Sequence, residues 1–311
     1  MNKPKVIVVA GPTAVGKTEY ALRIAEALNG EIVSCDSMQL YRGMDIGSAS
    51  PSADELARVP HHLISVVDPR EGCSAARYQA MATQAIEAIL ARGRQPIVAG
   101  GTGLYLHALL FEMDFGVVQS DPVRRRELEE IATKEGGDVL FQRLAAIDPA
   151  AADRIHPHNI KRVIRAIEAA ERGEGLRPIG AVKKQRRQDY DFLLMGLARN
   201  RQELYARIDQ RVQVLADRGL ATEVQHLLDM GLTKDDTAMK GIGYKEIIPY
   251  LEGRCSFTEA LQEVAKNTRH YAKRQMTWFR KYETMHWFSL SSIKDKETAL
   301  GEMLTWLKEN M

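Results

Sequence analysis

Cysteine and long apolar stretches are scarce in this sequence of 311 residues. The three cysteines, Cys35, Cys73 and Cys255, lie far apart and form no CxxC pair, which argues against a zinc site and a disulfide framework and indicates a reducing compartment. The longest apolar runs, such as residues 6–10, are far shorter than the roughly 20 residues of a transmembrane helix, and the few residues before them leave no room for a signal peptide. We therefore expect a cytoplasmic protein that does not associate with membranes.

Neither sign of charge prevails in the composition. Lys and Arg number 43 and Asp and Glu number 41, so the net charge of +2 neither favours nor excludes a nucleic-acid partner. A hydrophobic content of 45% and a charged content of 27% are typical of globular proteins. The composition therefore predicts a sizeable core and excludes disorder of the whole chain.

Strands, glycine turns and helices alternate in the first part of the chain. A β-branched run at residues 6–10 precedes a glycine turn, and apolar residues at helical spacing follow over residues 18–28. Residues 31–34 and 96–99 have the pattern of buried strands, and the second of them leads into a glycine-rich turn at 100–103. This alternation predicts an α/β fold with a P-loop-type parallel sheet core flanked by helices.

Charged helical segments replace this alternation from about residue 115. Their helical patterns cover residues 122–134, 137–146 and 159–172, and a basic run follows at 183–187. Because residues 191–197 again have the pattern of a strand, we predict a core of residues 1–115 and 191–311 with a helical insertion domain at 116–190. From Arg201 onward the pattern predicts helices throughout, including a long one at 258–282.

A complete phosphate-binding motif, G-x-x-x-x-G-K-[ST], follows the first predicted strand. Its residues are Gly11, Pro12, Thr13, Ala14, Val15, Gly16, Lys17 and Thr18. In this motif the backbone N–H groups and the helix N-terminus hold phosphate oxygens, the lysine adds positive charge, and the threonine hydroxyl suits Mg²⁺. A nucleotide such as ATP is the default ligand, but any diphosphate presents the same oxygens.

Polar residues follow the second and third strands at the edge where parallel strands end. Asp36 comes directly after the second strand, and beside a phosphate site it would act as a Mg²⁺ ligand or as a general base. Ser37 and Gln39 supply donors and acceptors suited to a base edge. Thr102, in the glycine-rich turn, is expected to face the same crevice.

Two further features carry positive charge. Arg207 and Arg211 lie four apart on a predicted helix and can clamp a diphosphate leaving group. The last long helix has no acidic residue between 264 and 282, and it interleaves basic residues with Tyr271 and Trp278, as a nucleic-acid surface would. Its basic residues include Lys266, Arg269, Lys273, Arg274, Arg280 and Lys281.

Three kinds of protein are compatible with the phosphate motif. In a small-molecule nucleotide kinase, the motif and Asp36 would serve phosphoryl transfer equally well, but the basic helix would have no purpose. A non-catalytic nucleic-acid-binding NTPase module would not require a carboxylate and Thr102 in one crevice. The third kind is implied by the family resemblance described in the next paragraph: a prenyltransferase acting on tRNA accounts for both features, whereas the related adenylate isopentenyltransferase, which acts on a free nucleotide, would lack the basic C-terminal region.

Taken together, these motifs resemble the tRNA dimethylallyltransferases, also called tRNA isopentenyltransferases. The matching segments stand in family order at residues 11–18, 36–47, 59–63, 100–105, 154–157, 162–168, 240–245 and 271–278. Arg269-His270 departs from the commoner Arg-Arg pair, which puts one phosphate or base contact in doubt. No zinc-finger extension follows, consistent with the bacterial type of the family.

The resemblance implies that dimethylallyl diphosphate donates a prenyl group to the exocyclic amine of the adenosine immediately 3′ of the anticodon, in tRNAs that read codons beginning with U. It also implies that Asp36 is the general base, that Lys17 and Thr18 hold the diphosphate and Mg²⁺, and that Thr102, Arg124 and Arg211 contact the substrate or leaving group. A monomer that binds the anticodon stem-loop of tRNA is expected, with the insertion domain contacting the tRNA. Residues expected to contact tRNA are Asp36, Ser37, Met38, Gln39, Lys161, Arg162, Val163, Ile164, Arg165, Lys240, Gly243, Tyr244, Lys245, Arg269, Lys273 and Arg274.

Overall fold

The computed structural model describes residues 3–113, 121–173 and 185–311. The chain forms two compact units, one of Met1–Leu110 with Arg187–Met311 and the other of Phe111–Arg186. The second unit is closed by an antiparallel bridge between Phe111 and Arg186, and for this reason its limits differ by a few residues from the predicted 116 and 190. Lys183 and Lys184 of the predicted basic run lie outside the described residues.

A six-stranded parallel sheet, in the order β3-β2-β4-β1-β5-β6, forms the centre of the first unit. The strands are β1 (Lys5–Ala10), β2 (Gly30–Cys35), β3 (His61–His62), β4 (Gln95–Gly100), β5 (Asp191–Ala198) and β6 (His286–Ser289). Because β1 lies between β4 and β5 and is covered on both faces, Val6 to Ala10 form an unbroken buried run.

Helices connect these strands and account for the rest of the fold. They are α1 (Lys17–Ala27), α2 (Ala53–Arg58), α3 (Ala75–Ala91), α4 (Gly103–Leu110), α5 (Pro122–Lys134), α6 (Gly137–Ile147), α7 (Pro149–Ala152), α8 (Ile160–Glu171), α9 (Arg201–Asp217), α10 (Leu220–Asp229), α11 (Tyr244–Leu251), α12 (Phe257–Phe279) and α13 (Lys296–Asn310). Among these described helices, none is both long enough and apolar enough to span a bilayer.

The core on one side of the sheet is built from helices with a single apolar face. In α9, Leu204, Ile208, Val212 and Leu215 recur every three or four residues, so all four point the same way and are buried. Leu204 and Ile208 join a cluster with α1, α13 and the strands. The polar face of α9 therefore has a fixed orientation.

The second unit has its own small core. Helices α5, α6 and α8 enclose a cluster that includes Leu128, Leu140 and Ile167. Glu168 is buried, and its carboxylate accepts two hydrogen bonds from the Arg125 guanidinium, at 3.1 and 2.6 Å. This bidentate pairing compensates the cost of burying the carboxylate.

The prediction of a purely helical chain after Arg201 is wrong at one place. Residues His286–Ser289 form β6, which pairs in parallel with the end of β5. The strand has only four residues and one neighbour, and its pairing is non-local, so its own sequence contains too little alternation to predict it.

Candidate active site

The loops after β1, β2 and β4 meet because the carboxyl ends of these strands are neighbours in the sheet. Ala10 and Cys35 both pair with Gly100, which brings the three loops to one edge. A cavity of about 350 Å³ opens there, a size typical of small-molecule sites. The predicted residues that it brings together are Thr13, Lys17, Thr18, Asp36, Ser37, Met38, Gln39, Arg211, Lys240, Lys245 and Arg274.

The loop after β1 leaves the start of α1 open. Gly16 is the N-cap residue, with φ 113° and ψ 18°, and no side chain caps the helix. The first N–H groups of an α-helix have no acceptor within the helix, and here none is supplied by a capping side chain. This loop therefore presents N–H groups and the positive end of a helix dipole, both of which attract anions.

Cationic side chains hold the carbonyl groups of the same loop. Lys17 Nζ donates to Pro12 O at 2.9 Å, and Arg207 Nε donates to Ala14 O at 2.8 Å. Arg199, which the sequence analysis did not single out, donates from Nε to Val15 O at 2.9 Å. With its carbonyl oxygens engaged in this way, the loop has its conformation fixed before any ligand binds.

Positive charge is concentrated and poorly solvated in this cavity. The pKa of Lys17 is lowered from 10.5 to about 8, mainly because the ammonium is buried; Asp36 opposes this lowering, and the nearby Arg211 guanidinium adds to it. Burial also lowers the pKa of Arg211, against an opposing effect of Asp36. Two cations facing one carboxylate leave an excess of positive charge, which an anionic ligand would neutralise.

The turn that contains Asp36 is fixed by short hydrogen bonds. Asp36 Oδ1 accepts from Met38 N at 2.9 Å, and Thr102 Oγ1 accepts from Ser37 N at 2.9 Å. Thr102 thus joins the loop after β4 to the turn after β2. Gln39 is also engaged, because its Oε1 accepts from Ser34 Oγ at 2.7 Å and its Nε2 donates to Ala49 O at 3.2 Å.

Glu223 on α10 is a polar residue that sequence reasoning missed. Its carboxylate accepts hydrogen bonds from three consecutive backbone N–H groups, those of Asp45, Ile46 and Gly47, at 2.9, 2.7 and 2.9 Å. The Tyr244 hydroxyl donates to the same carboxylate at 2.8 Å. Because residues 47–49 line the cavity, Glu223 anchors one of its walls from outside.

Part of the cavity wall is apolar. Ile208, Val212 and Leu215 of α9 face it, together with Ile242 and Val264. Phosphate oxygens gain nothing from such a surface, whereas a hydrocarbon group is stabilised by about 25 cal/mol for each Å² that it buries. The cavity therefore combines an anion-binding end with a surface for a small apolar group.

The structure corrects the expectation that four of the predicted residues contact tRNA. Val163 and Ile164 are 0% and 3% exposed within the core of the second unit. Tyr244 is 0% exposed and bonded to Glu223, and Gly243 is buried, with its N–H donating to Glu246. These residues lie inside their own units, so their effect on a nucleic acid is limited to positioning exposed neighbours.

The charged residues predicted to contact tRNA or substrate differ in their surroundings. Lys161, Arg162 and Arg165 are exposed on α8 of the second unit. In the same unit the Arg124 guanidinium is bonded to Glu171 and Glu127, so the structure gives it a local ion-pairing role.

The basic residues of α12 also differ in their exposure and in whether they form ion pairs. Lys273 and Arg274 are exposed, and in the described part of the chain the Lys273 ammonium has no acidic partner. Arg274 lies 5.6 Å from the centroid of the Tyr271 ring. Arg269, in contrast, is half-buried and paired with Asp209. Within Phe257–Phe279, as the structure describes it, the basic side chains without an acidic partner are therefore those of Lys273 and Arg274.

Comparisons with known proteins agree with this chemistry. The family model described as IPP transferase matches residues 39–282. The tRNA dimethylallyltransferase of Alkaliphilus oremlandii is 47% identical over 296 residues, which cover 95% of this chain and 94% of that protein. The tRNA dimethylallyltransferase of Bacillus subtilis is 42% identical over 305 residues, covering 98% and 96%.

Two solved structures have a similar fold over almost the whole chain. The full-length tRNA isopentenylpyrophosphate transferase of Bacillus halodurans is 40% identical with a TM-score of 0.74, and the match covers 99% of this chain and 96% of that one. A eukaryotic dimethylallyltransferase acting on tRNA is 26% identical with a TM-score of 0.81, over 99% of this chain and 79% of the other.

Proposed function

Because this chain belongs to the IPP transferase family, we propose that it transfers a dimethylallyl group from dimethylallyl diphosphate to the exocyclic amine of the adenosine immediately 3′ of the anticodon. The acceptors are tRNAs that read codons beginning with U. The observation that carries this proposal is the mixed character of the cavity, which is lined both by the cations Lys17 and Arg211 and by apolar residues such as Ile208 and Val212.

The two ends of the donor match different parts of this cavity. Its diphosphate lies against the N–H groups at the start of α1, where Lys17 and Arg211 neutralise its charge. Its hydrocarbon part lies against the apolar wall formed by α9. In this orientation the carbon that bears the diphosphate is directed toward the turn that contains Asp36.

Asp36 acts as the general base. The exocyclic nitrogen of adenine forms a bond to the first carbon of the dimethylallyl group while the bond from that carbon to the diphosphate oxygen breaks. The electron pair of the broken bond leaves with the diphosphate, whose charge the two cations stabilise. The proton released from the nitrogen passes to the Asp36 carboxylate, which the N–H of Met38 orients.

A magnesium ion is compatible with the oxygen groups of the cavity. Mg²⁺ typically uses one or two protein oxygens, substrate phosphates and water, and the Thr18 hydroxyl and Asp36 carboxylate both line this space. Thr18 would hold the ion, which would neutralise charge on the leaving diphosphate. Within the described residues no cluster of three or more acidic, histidine or cysteine ligands offers an alternative site.

The acceptor tRNA binds through exposed basic residues. Lys273 and Arg274 on α12, and Lys161, Arg162 and Arg165 on α8, are solvent-exposed and suited to phosphate contacts. Since an exocyclic amine in a stacked loop cannot reach an enclosed carboxylate, the target base enters the cavity in an unstacked conformation. We further propose that the enzyme works as a cytoplasmic monomer.

Phosphoryl transfer by a nucleotide kinase is the alternative that the phosphate loop alone would support. The two functions are separated by incubating the protein with Mg²⁺, unmodified tRNA and a mixture of small metabolites, with a label either on the dimethylallyl group of the donor or on the γ-phosphate of ATP. Entry of the prenyl label into tRNA is expected. Transfer of the γ-phosphate to a small metabolite, without prenyl transfer, would refute the proposal.

A further inference from the structure

One face of α12 fits against the loop that follows β4. Tyr271, Gln275 and Trp278 are spaced by four and three residues and therefore lie on the same side of the helix. A Cβ atom on Gly101 would lie 2.2 Å from Gln275 Nε2, and one on Gly103 would lie 2.5 Å from Trp278 Cδ1. These two glycines leave the space that the helix face occupies.

Gln275 contacts two loops at once. Its Oε1 accepts a hydrogen bond from Thr13 N, in the phosphate loop, at 2.8 Å. Its Nε2 donates to Gly101 O, in the loop after β4, at 2.7 Å. The first partner is a donor and the second an acceptor, so only one orientation of the amide satisfies both. The residue is 4% exposed, and this excludes a direct contact with a macromolecule.

We propose that Gln275 is a positioning residue for prenyl transfer, which sets the distance between the phosphate loop and the loop of Thr102. The inference rests on the proposed function, because it assigns the diphosphate to the phosphate loop. Because the N–H of Thr13 is engaged by Gln275, the N–H groups nearer to α1 are the ones that receive the ligand. Gln275 thus determines which part of the loop binds phosphate.

The position of Gln275 also connects the proposed tRNA-binding surface of α12 with the proposed binding site of the donor. Residues 273 and 274, one and two positions before it, are exposed and basic, while Gln275 itself points inward. The helix that carries the proposed tRNA-binding charges is therefore hydrogen-bonded to the donor-binding loop through the side chain of Gln275. A small displacement of α12 would move the N–H of Thr13 and alter the geometry of the diphosphate site, where errors of about 1 Å cost ~100-fold in rate.

A double-mutant cycle of Gln275 and Gly101 tests this role. The affinity of each variant for inorganic pyrophosphate is measured by titration calorimetry in the presence of Mg²⁺ and without tRNA. Gln275→Ala is expected to weaken pyrophosphate binding by about 10- to 100-fold, because both loops lose their common partner. Gly101→Ala should cause a similar loss by displacing the amide. The double variant should bind no more weakly than Gln275→Ala alone, because the shortened side chain makes room for the new methyl group.

Three further measurements separate positioning from a general loss of structure. The dissociation constant for tRNA should stay within about twofold, and the thermal midpoint should show that the variant is folded. If Gln275→Ala does not fold, Gln275→Met keeps the length and volume of the side chain and should show the same loss of pyrophosphate affinity. Gln262→Ala, on an exposed position of α12, is the matched control and should behave as the wild type.

The opposite results would overturn the inference. The first is an unchanged affinity for pyrophosphate in Gln275→Ala or Gln275→Met. The second is a double variant whose affinity falls by the product of the two factors measured for the single variants. Pyrophosphate binding does not depend on prenyl transfer. A wild type that binds pyrophosphate but transfers no prenyl group would therefore refute the proposed function while leaving the role of Gln275 testable.

Discussion

Lys17 is expected to make donor binding depend on pH in a way that an ordinary lysine would not. Burial and the neighbouring Arg211 lower the pKa of Lys17 from 10.5 to about 8 in the ligand-free protein. The difference corresponds to about 3 kcal/mol that disfavours the charged ammonium. A bound diphosphate supplies negative charge beside the ammonium and restores its proton affinity.

The sign of the effect follows from this difference. Below pH 8 the free Lys17 is mostly protonated, and donor affinity is at its full value. Above that pH the proton must be taken up on binding, so affinity falls by about tenfold for each pH unit. The value of kcat/KM for the donor, which reports the free enzyme, should therefore fall above pH 8, whereas the same group leaves kcat unchanged.

The assay measures Mg²⁺-pyrophosphate affinity between pH 6.5 and 9.5 in the wild type and in Lys17→Met. The ratio of the two affinities cancels the titration of pyrophosphate itself. It should be constant at low pH and decline above pH 8. Arg211→Gln should move this decline to higher pH, and Asp36→Asn should move it to lower pH, since their charges act on Lys17 in opposite directions. A ratio that stays constant up to pH 9.5 would refute the argument from burial.

Three other substitutions probe separate parts of the site. Asp36→Asn should reduce single-turnover prenyl transfer by about 10²- to 10⁴-fold, the usual contribution of a general base, with little change in tRNA affinity. Glu223→Ala should lower the free energy of unfolding by about 2–4 kcal/mol in urea titrations, because three backbone N–H groups lose a charged acceptor. Lys273→Ala combined with Arg274→Ala should weaken tRNA binding and reduce its salt dependence by about two counterions, more than Arg269→Ala does, because Arg269 is already paired.

Each of these substitutions has a result that contradicts its premise. Equal losses of turnover and tRNA binding in Asp36→Asn would make Asp36 a binding residue. Gln225→Ala, on an exposed position of α10, is the control for Glu223→Ala, and equal stability of the two variants would remove Glu223 as an anchor. If the loss of salt dependence per substituted charge were the same in Arg269→Ala as in the double variant, ion pairing would not decide which charges reach the tRNA.

Local sequence patterns predicted those parts of the fold whose conformation is determined by residues close together in the sequence. The glycine-containing motif at residues 11–18 lies at the junction of β1 and α1 as expected, and the apolar spacing of α9 predicted its buried face correctly. The strand at Asp191–Ala198 was also predicted, because an unbroken apolar run follows Asp191. In each case neighbouring residues alone determine the conformation, so sequence periodicity is sufficient.

The residues that hold the loops of the site in place could not be predicted in the same way. Glu223 accepts hydrogen bonds from backbone groups 176 to 178 residues away in the sequence, and Gln275 accepts one from Thr13, 262 residues away. The sequence around Glu223 does not distinguish it from an exposed helical residue, and the matching segment 271–278 includes Gln275 without indicating its partners. The buried Tyr244 likewise has its hydroxyl bonded to Glu223, a partner that only the folded chain brings near. Such contacts depend on tertiary structure, and the motifs around Asp36 give no sign of them.

The position of the transferred group in tRNA tests the central claim most directly. Two tRNA transcripts are compared that differ only in the nucleotide 3′ of the anticodon, adenosine in one and a purine lacking the exocyclic amine in the other. After incubation with labelled dimethylallyl diphosphate, the label should appear in the first transcript, on the amine of that adenosine, and not in the second. Equal labelling of both transcripts, or label at another nucleotide, would contradict the account.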